Sequence, residues 1–197
     1  MRLNVLIGGK AGQGINKISQ IVSEVLVSQG YFIFNYRDYQ SLIRGGHNFN
    51  ILSISDKRIA SHESKIDGIV ALDDKTLELH KKELRKNAFI ISSSDFENHE
   101  AVFGKNLNMV LAGALLKVFG IDNDHLIKIV NREFGEKAVE AAEKGYKSQK
   151  SKFFLGKLNS KIITMSGAEA IALGAINSGI NLYLGYPMTP ATGVLHE

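Results

Sequence analysis

Apolar residues along the chain form short runs of strand type that alternate with longer stretches at helical spacing. Leu3 to Ile7 is a short and mostly apolar run, which is typical of a strand buried on both faces. From Ile15 the apolar residues recur at helical spacing, and Gly30 is suited to end that helix. The same pattern predicts strands at 31–36, 48–54, 66–72 and 88–91, and helices from Asp73 or Asp74 to 82, at 107–119, from Asp122 or Asp124 to 134, and at 136–146.

Strands that alternate with helices predict an α/β fold, here with three layers in the order α/β/α. The strand at 48–54 follows the strand at 31–36 too closely for a helical crossover. This spacing predicts that the two strands are antiparallel. We therefore expect a mixed sheet with helices on its faces.

The stretch from Ser148 to Ser160, called the basic segment below, has no long apolar period and predicts a linker. From Lys144 to Lys161 there are six lysines and no acidic residue, which suits a solvated face or contact with an acidic partner. Farther on, 162–165 and 181–184 are strand-like and flank a helix of small residues at 167–178. About 35 residues cannot bury a core alone, so we expect the opening of a second domain of a longer protein.

Composition narrows the possible functions. The 197 residues carry a net charge of +4 and are 44% hydrophobic, as expected for a globular domain of ordinary size plus a further piece. Because the chain has no cysteine, disulfides, thiolate catalysis and cysteine-ligated iron–sulfur clusters within it are excluded. No apolar run approaches the roughly 20 residues that span a bilayer, and the N-terminus does not resemble a signal peptide. We expect a cytoplasmic protein that binds neither membranes nor nucleic acid.

Residues 8–14, the glycine loop, join the first strand to the first helix. Its four glycines permit a tight turn and close approach by a ligand or another backbone. The helix N-terminus that follows presents backbone N–H groups suited to a phosphate or a carboxylate. The order Gly9-x-x-Gly12-x-Gly14 is not the G-x-G-x-x-G of a dinucleotide fold, and no P-loop lysine follows. The loop is thus either an anion site or only a tight β–α connection.

A second loop, from Arg37 to His47, is rich in polar and charged residues. Arg44 is a candidate for anion binding, with the alternative that it binds loop carbonyls. His47 is titratable, although a lone histidine at this place is more simply a strand-edge residue. Asp73 and Asp74 resemble a paired acid site, but a helix cap beside a solvated neighbour explains them better. The six histidines show no metal-ligand spacing, so we expect no metal site.

Motifs in both loops and in the tail together resemble the 2-oxoacid:ferredoxin oxidoreductase family. Similarity to the gamma domain of these enzymes rests on Gly8-Gly-Lys-Ala-Gly-Gln-Gly14, Ser41-Leu-Ile-Arg-Gly-Gly-His47 and Ala71-Leu-Asp73. Similarity to the start of the alpha subunit rests on Gly167-Ala-Glu-Ala-Ile-Ala-Leu-Gly-Ala-Ile176 and Gly185-Tyr-Pro-Met-Thr-Pro190. In many members a gamma domain is fused ahead of alpha in this order. The chain departs from the usual motifs at Ala168, Met188 and Ala191.

The resemblance implies three parts. These are a gamma-like domain at 1–147, the basic segment at 148–160 as a linker, and the first β-α-β piece of a thiamine-pyrimidine-type domain of the alpha subunit at 161–197. It also implies oxidative decarboxylation of a 2-oxoacid, such as pyruvate or 2-oxoglutarate, to an acyl-CoA with reduction of ferredoxin. The isolated chain is expected to be inactive.

The resemblance further implies the cofactors and partners of the whole enzyme. Thiamine diphosphate, magnesium, CoA and [4Fe-4S] clusters serve the reaction, with the clusters held by partner subunits. The expected partners are a beta subunit that carries thiamine diphosphate and a cluster, the rest of the alpha subunit, and ferredoxin, in a homo- or hetero-oligomer. Thr189 is the candidate catalytic residue, presented between Pro187 and Pro190. The candidate contacts to CoA or to another subunit are Gly12, Gln13, Gly14, Arg44, Gly45 and Gly46.

Two other functions are weighed against this one. A free-standing scaffold domain that binds CoA or a nucleotide without catalysis shares the same glycine loop. An NAD-dependent dehydrogenase is disfavoured by the order of the glycines. It is also disfavoured because Asn35 and Tyr36, rather than a carboxylate, close the second strand.

Overall fold

The central strand of the fold, β1 (Arg2–Lys10), is buried from Leu3 to Gly9, as its apolar composition predicts. The computed structural model describes residues 1–39, 46–96, 104–188 and 191–196. By their contacts these residues form two units, Met1–Ile162 and Ile163–Glu197.

The sheet of the first unit is mixed, which confirms the expected α/β class. In the described residues it comprises β1, β2 (Phe32–Asp38), β3 (His47–Ser55), β4 (Ile66–Ala71) and β5 (Leu84–Ser92). The order across the sheet is β2-β3-β1-β4-β5. β3 runs antiparallel to β2, as their short connection predicts, and it is also antiparallel to β1, whereas β1, β4 and β5 are parallel.

Four helices lie on one side of this sheet. They are α1 (Ile15–Ser28), α3 (Leu107–Phe119), α4 (Asp124–Phe134) and α5 (Glu136–Ser148). Of these, α1 and α3 contact the strands, and α4 and α5 pack against those two helices. Their buried side chains join those of the strands in one large core, in which Phe119 is fully buried. The predicted helix at 107–119 is confirmed at both ends.

The opposite face of the sheet holds a smaller apolar cluster built around Leu6, Ile51 and Ile69. The short helix α2 (Asp74–His80) contributes Leu77 to this cluster and is followed by a 3₁₀ turn at Lys81–Glu83. Helices therefore lie on both faces, and the three-layer expectation is confirmed.

The basic segment packs along the first unit, although its composition predicts a linker. The backbone N–H groups of Phe153 and Leu155 donate to the carbonyls of Val118 and Phe119 at the end of α3, at 2.9 and 3.0 Å. Leu155 is 5% exposed and belongs to the large core. The segment supplies donors to helix-end carbonyls that have no partner within their own helix. Lysines beside such ends are favoured by the helix dipole.

The second unit contains α6 (Gly167–Asn177) and the short α7 (Ala191–Leu195). Ser166 caps α6 by accepting from Glu169 N–H at 3.1 Å, and the Glu169 carboxylate accepts from Ser166 N–H. The strands predicted at 162–165 and 181–184 are wrong for this structure, since neither segment has ladder hydrogen bonds. A strand forms only with a partner strand, which neither segment finds among the described residues.

Candidate functional site

The topology gathers several polar loops at one edge of the sheet. β1, β2, β4 and β5 all end at this edge and β3 begins there, because β3 alone is reversed. The glycine loop, the start of β3 at His47, Asp73 and the serines after β5 therefore share the carboxyl edge, where open α/β sheets place their ligands.

The glycine loop has the strained geometry that requires glycine. Gly12 and Gly14 both have φ of 91°, and Gly14 is the N-cap of α1 without any capping side chain. Gln13 closes the turn, since its Oε1 accepts from Lys10 N–H at 2.6 Å and its Nε2 donates to Leu72 O at 3.3 Å. The Gln13 amide thus ties the loop to β1 and to the end of β4.

A cavity of about 330 Å³ opens beside the glycine loop and the N-terminus of α1. Arg37, at the end of β2, lines it and is exposed, without a carboxylate partner among the described residues. Lys17 also lines it, with its Nζ 3.3 Å from a Glu133 oxygen. The first N–H groups of α1 lack acceptors within the helix and carry the positive end of its dipole. Together these groups suit an anionic ligand.

A polar network that sequence reasoning missed supports this cavity. Asn50 is 2% exposed and donates to Asn16 Oδ1 at 3.0 Å and to Ser19 Oγ at 2.7 Å. Ser19 is fully buried; its Oγ also accepts from Asn35 and donates to the Asn16 carbonyl. A buried network of this kind fixes α1 against β3 because each lost partner leaves an unpaired polar atom. The available signal was the polar side chain at position 19, inside an apolar helical period.

His47, interpreted from the sequence as a strand-edge residue, is in fact buried and paired. It is 8% exposed, and its Nε2 lies 2.9 Å from Nε2 of His80, which is 7% exposed. The pKa of His47 is lowered, chiefly by burial and next by His80. His80 Nδ1 lies 3.0 Å from Glu83 Oε1. No local pattern indicates this pairing, since His80 closes a separate helix.

Asp73 is the N-cap of α2, and the preferred interpretation of the Asp73–Asp74 pair is confirmed. Asp73 Oδ1 accepts from Thr76 N–H at 2.9 Å and from the Thr76 hydroxyl at 2.7 Å. Asp74 is exposed in the first turn of the helix. The two carboxylates therefore serve the helix start rather than a paired acid site.

We expect Asp73→Ala to lower the free energy of unfolding by about 1 kcal/mol, because the Thr76 N–H loses its acceptor. Asp73→Asn keeps an oxygen at this place and should cost clearly less. Urea denaturation of both variants and of the parent chain measures the difference. Equal losses in Asn and Ala variants would show that the cap contributes nothing specific.

The structure brings only part of the predicted site together. Gly12, Gln13 and Gly14 lie at the carboxyl edge, and the Gly46 carbonyl joins them by accepting from Ala11 N–H at 3.3 Å. Arg44, Gly45 and Thr189 lie outside the described residues.

The side chains that could act as ligands can be compared with the metal ions and clusters expected for the whole enzyme. Without cysteine the chain has no thiolate for an iron–sulfur cluster. Within residues 1–39, 46–96, 104–188 and 191–196, no group of three His, Asp or Glu side chains is placed to hold a metal ion. Over the same ranges, no helix combines the length and apolar character required to cross a membrane.

Comparison with known proteins identifies the family. Residues 4–105 match the pyruvate ferredoxin/flavodoxin oxidoreductase family. A 2-oxoacid:ferredoxin oxidoreductase alpha subunit from Sulfolobus sp is 44% identical over 80 residues, which are 41% of this chain and 13% of that subunit. The alpha subunit from Saccharolobus solfataricus is 22% identical, covering 98% of this chain and 41% of its own length. The chain thus spans less than half the length of these curated relatives.

Solved structures share the fold. The 2-oxoglutarate:ferredoxin oxidoreductase from Magnetococcus marinus matches with a TM-score of 0.83 at 19% identity, over 99% of this chain and 40% of that one. A keto/oxoacid ferredoxin oxidoreductase gamma subunit from Geobacter sulfurreducens matches with a TM-score of 0.65 at 20% identity, over 75% of this chain and 95% of that one. The family match spans more than half of the sequence, and the motifs of both loops agree with it. This chain belongs to the pyruvate ferredoxin/flavodoxin oxidoreductase family.

Proposed function

We propose that this chain forms part of a 2-oxoacid:ferredoxin oxidoreductase, which converts a 2-oxoacid and CoA into an acyl-CoA and carbon dioxide. The electrons released pass through iron–sulfur clusters to ferredoxin. Thiamine diphosphate supplies the electron sink when carbon dioxide leaves. Family membership and the alpha-subunit relatives support this function.

The role proposed for the first unit is that of the gamma domain, with residues 161–197 opening an alpha-type domain. The gamma role is supported by the fold of the Geobacter sulfurreducens gamma subunit, of which 95% aligns with 75% of this chain. The Magnetococcus marinus enzyme, which aligns with 99% of this chain, supports their order. The basic segment then belongs with the gamma domain through its packing on α3.

The cavity at the glycine loop is the proposed CoA site. The observation that carries this proposal is the meeting of the α1 N-terminus with Arg37 and Lys17 in one cavity, a site suited to the phosphates of CoA. The Magnetococcus marinus structure was solved with 2-oxoglutarate, coenzyme A and succinyl-CoA bound. Arg44, Gly45 and Gly46, which precede β3 in the sequence, are proposed as further CoA or subunit contacts.

The rest of the catalytic machinery is proposed to come from partners. A beta subunit would carry thiamine diphosphate, magnesium and a [4Fe-4S] cluster, because this chain has no thiolate ligands. Thr189 is proposed to lie near that cofactor and the substrate. The enzyme is proposed to work in the cytoplasm with ferredoxin as acceptor, and the isolated chain to be inactive.

Calorimetry with coenzyme A on the full chain tests the proposed site. We expect saturable binding that Arg37→Ala weakens about tenfold, because one charge-assisted hydrogen bond to a phosphate is lost. Lys137→Ala, on the exposed face of α5, is the matched control and should bind like the parent. The absence of binding, or equal affinities in the Arg37→Ala and control variants, would overturn the assignment of this cavity.

Co-purification through a tag on this chain tests the larger assignment. A brown complex that reduces ferredoxin only with CoA and one 2-oxoacid is the expected result. A colourless chain that purifies alone, yet binds coenzyme A, would favour the scaffold alternative.

A further inference from the structure

A buried pair of histidines, with a partly exposed glutamate behind it, lies beside the glycine loop. His47 is the first residue of β3, and its Nε2 lies 2.9 Å from Nε2 of His80, the last residue of α2. His80 Nδ1 in turn lies 3.0 Å from Glu83 Oε1. Both imidazoles are more than nine-tenths buried. The centroid of the Phe49 ring lies 5.9 Å from that of the His47 ring and 4.7 Å from that of the His80 ring.

The hydrogen bonds assign the protons of the neutral pair. The Glu83 carboxylate accepts, so His80 donates from Nδ1 and leaves its Nε2 as an acceptor. His47 then donates from Nε2, which leaves His47 Nδ1 without a proton. That Nδ1 atom is buried and has no hydrogen-bond partner in the part of the chain that the structure describes. A proton added to the pair would therefore go to His47 Nδ1, where it would find no hydrogen-bond acceptor among the described residues.

The electrostatic surroundings oppose that further proton. Burial lowers the pKa of His47 most, followed by the neighbouring His80. Smaller effects come from Asp73 and Asp38, which raise the pKa, and from Lys75, which lowers it; Lys10 lies opposite His47 in the ladder. Burial and the neighbouring His80 therefore favour the neutral form of His47, and its lowered pKa means that it takes up a proton only on stronger acidification.

The position of His47 is linked to the proposed binding loop. His47 pairs with Lys10 across the β1–β3 ladder, and Lys10 N–H binds Gln13 Oε1 within the glycine loop. The preceding residue, Gly46, accepts from Ala11 N–H at 3.3 Å. A side chain on Gly8 would also meet His47 Cε1 at 3.2 Å, so the imidazole packs directly on β1. Displacing His47 therefore disturbs the first part of the glycine loop, from Gly8 to Ala11.

We propose that His47 and His80 are positioning residues that hold the glycine loop in its binding geometry only while the pair is neutral. A proton added at His47 Nδ1 would leave a buried, charged N–H without an acceptor among the described residues, so the charged ring would leave this position to reach water. Coenzyme A binding then weakens on acidification. This inference rests on the proposed function, because coenzyme A is the ligand whose binding is followed.

The test compares coenzyme A affinity at about pH 7.5 and about pH 5.5 in the full chain, His47→Gln and the control His125→Gln. In His47→Gln, the glutamine amide can still donate one N–H towards His80 but cannot be protonated. Because coenzyme A loses the same charge in every sample, differences between variants isolate the protein. We expect the parent and His125→Gln to lose about tenfold more affinity than His47→Gln over this window. Equal losses in the three proteins would overturn the inference.

Thermal unfolding without ligand gives an independent readout. The lowered pKa of His47 means that the unfolded chain binds more protons on acidification, so stability is complete above the ordinary histidine range and falls below it. We expect the Tm of the parent to fall more steeply than that of His47→Gln between about pH 7 and about pH 5.5. Parallel Tm curves would contradict a proton-sensitive pair whether or not coenzyme A binds.

A second variant covers the case in which His47→Gln does not fold. Glu83 is partly exposed, with a side-chain exposure of 39%, and Glu83→Gln removes the carboxylate behind His80. The acid weakening of coenzyme A binding should then shift to lower pH, because a neutral amide stabilises a proton on the pair less well. An unchanged profile would count against the inference. No binding at any pH in the parent chain would instead overturn the proposed function, and with it the coupling.

Discussion

Replacing Leu155 by alanine is expected to lower the free energy of unfolding by about 2–5 kcal/mol, the range for emptying a buried leucine site. Leu155 lies in the middle of the basic segment, yet it is only 5% exposed and joins the core formed by α1, α3 and the sheet. Its N–H donates to Phe119 O at the end of α3, so the side chain is held in place by the backbone. Urea denaturation of the full chain, followed by circular dichroism, measures the loss.

The matched control is Lys157→Ala, two residues farther along and exposed. It should change stability by less than about 0.5 kcal/mol, since it touches neither the core nor a cap. A true linker would tolerate both substitutions equally. Equal denaturation midpoints for Leu155→Ala, Lys157→Ala and the parent would therefore show that the basic segment does not belong to the folded unit.

The packing of this segment illustrates what the sequence does not reveal. Phe153, Leu155 and Leu158 show no helical or strand period, and lysines surround them. What orders the segment is a set of acceptors elsewhere: the Phe119 carbonyl at the end of α3 and the Gln29 carbonyl at the end of α1. Each helix could be predicted by itself from its apolar period. The tertiary fold brings two helix ends close together, so that one segment can donate hydrogen bonds to the free carbonyls of both.

Long periodic elements were predicted well for a physical reason. The apolar period of 107–119 is sustained over the whole helix α3, and Gly120, with φ of 71°, ends it as a C-cap. The strand at 48–54 was also found, with its antiparallel pairing, because the short connection allows no other. In contrast, 162–165 and 181–184 have strand composition but lack a partner strand among the described residues.

The candidate site, like the fold, was only partly predictable from the sequence. The glycine loop was predictable because its chemistry is local: a strand end, glycines at positive φ and a helix start. Arg37, Asn50 and His80 were missed because they reach this edge through sheet order and helix placement. His47 and His80 are 33 residues apart in sequence and meet only because β3 is reversed beside β1 while α2 covers the other face. A histidine pair of this kind leaves no local signal.

The contact between α3 and α5 is the place where one added methyl group should matter most. A Cβ on Gly145 would overlap the Val110 carbonyl oxygen, and one on Gly113 would overlap that of Ala142. Both obstacles are helix backbone, which cannot rotate away as a side chain can. Gly113 on α3 and Gly145 on α5 are thus counterparts that let the two helices pack closely.

Gly145→Ala should therefore destabilise the chain even though alanine favours helix. Overpacking at about 3 kcal/mol outweighs the roughly 1 kcal/mol that alanine gains over glycine within a helix, which leaves a net loss of about 2 kcal/mol. Lys137→Ala on the exposed face of the same helix should stay within about 0.5 kcal/mol of the parent. Chemical denaturation decides between the two effects. If Gly145→Ala proved more stable than the parent, helix propensity would dominate and the two helices could not lie as close as the structure places them.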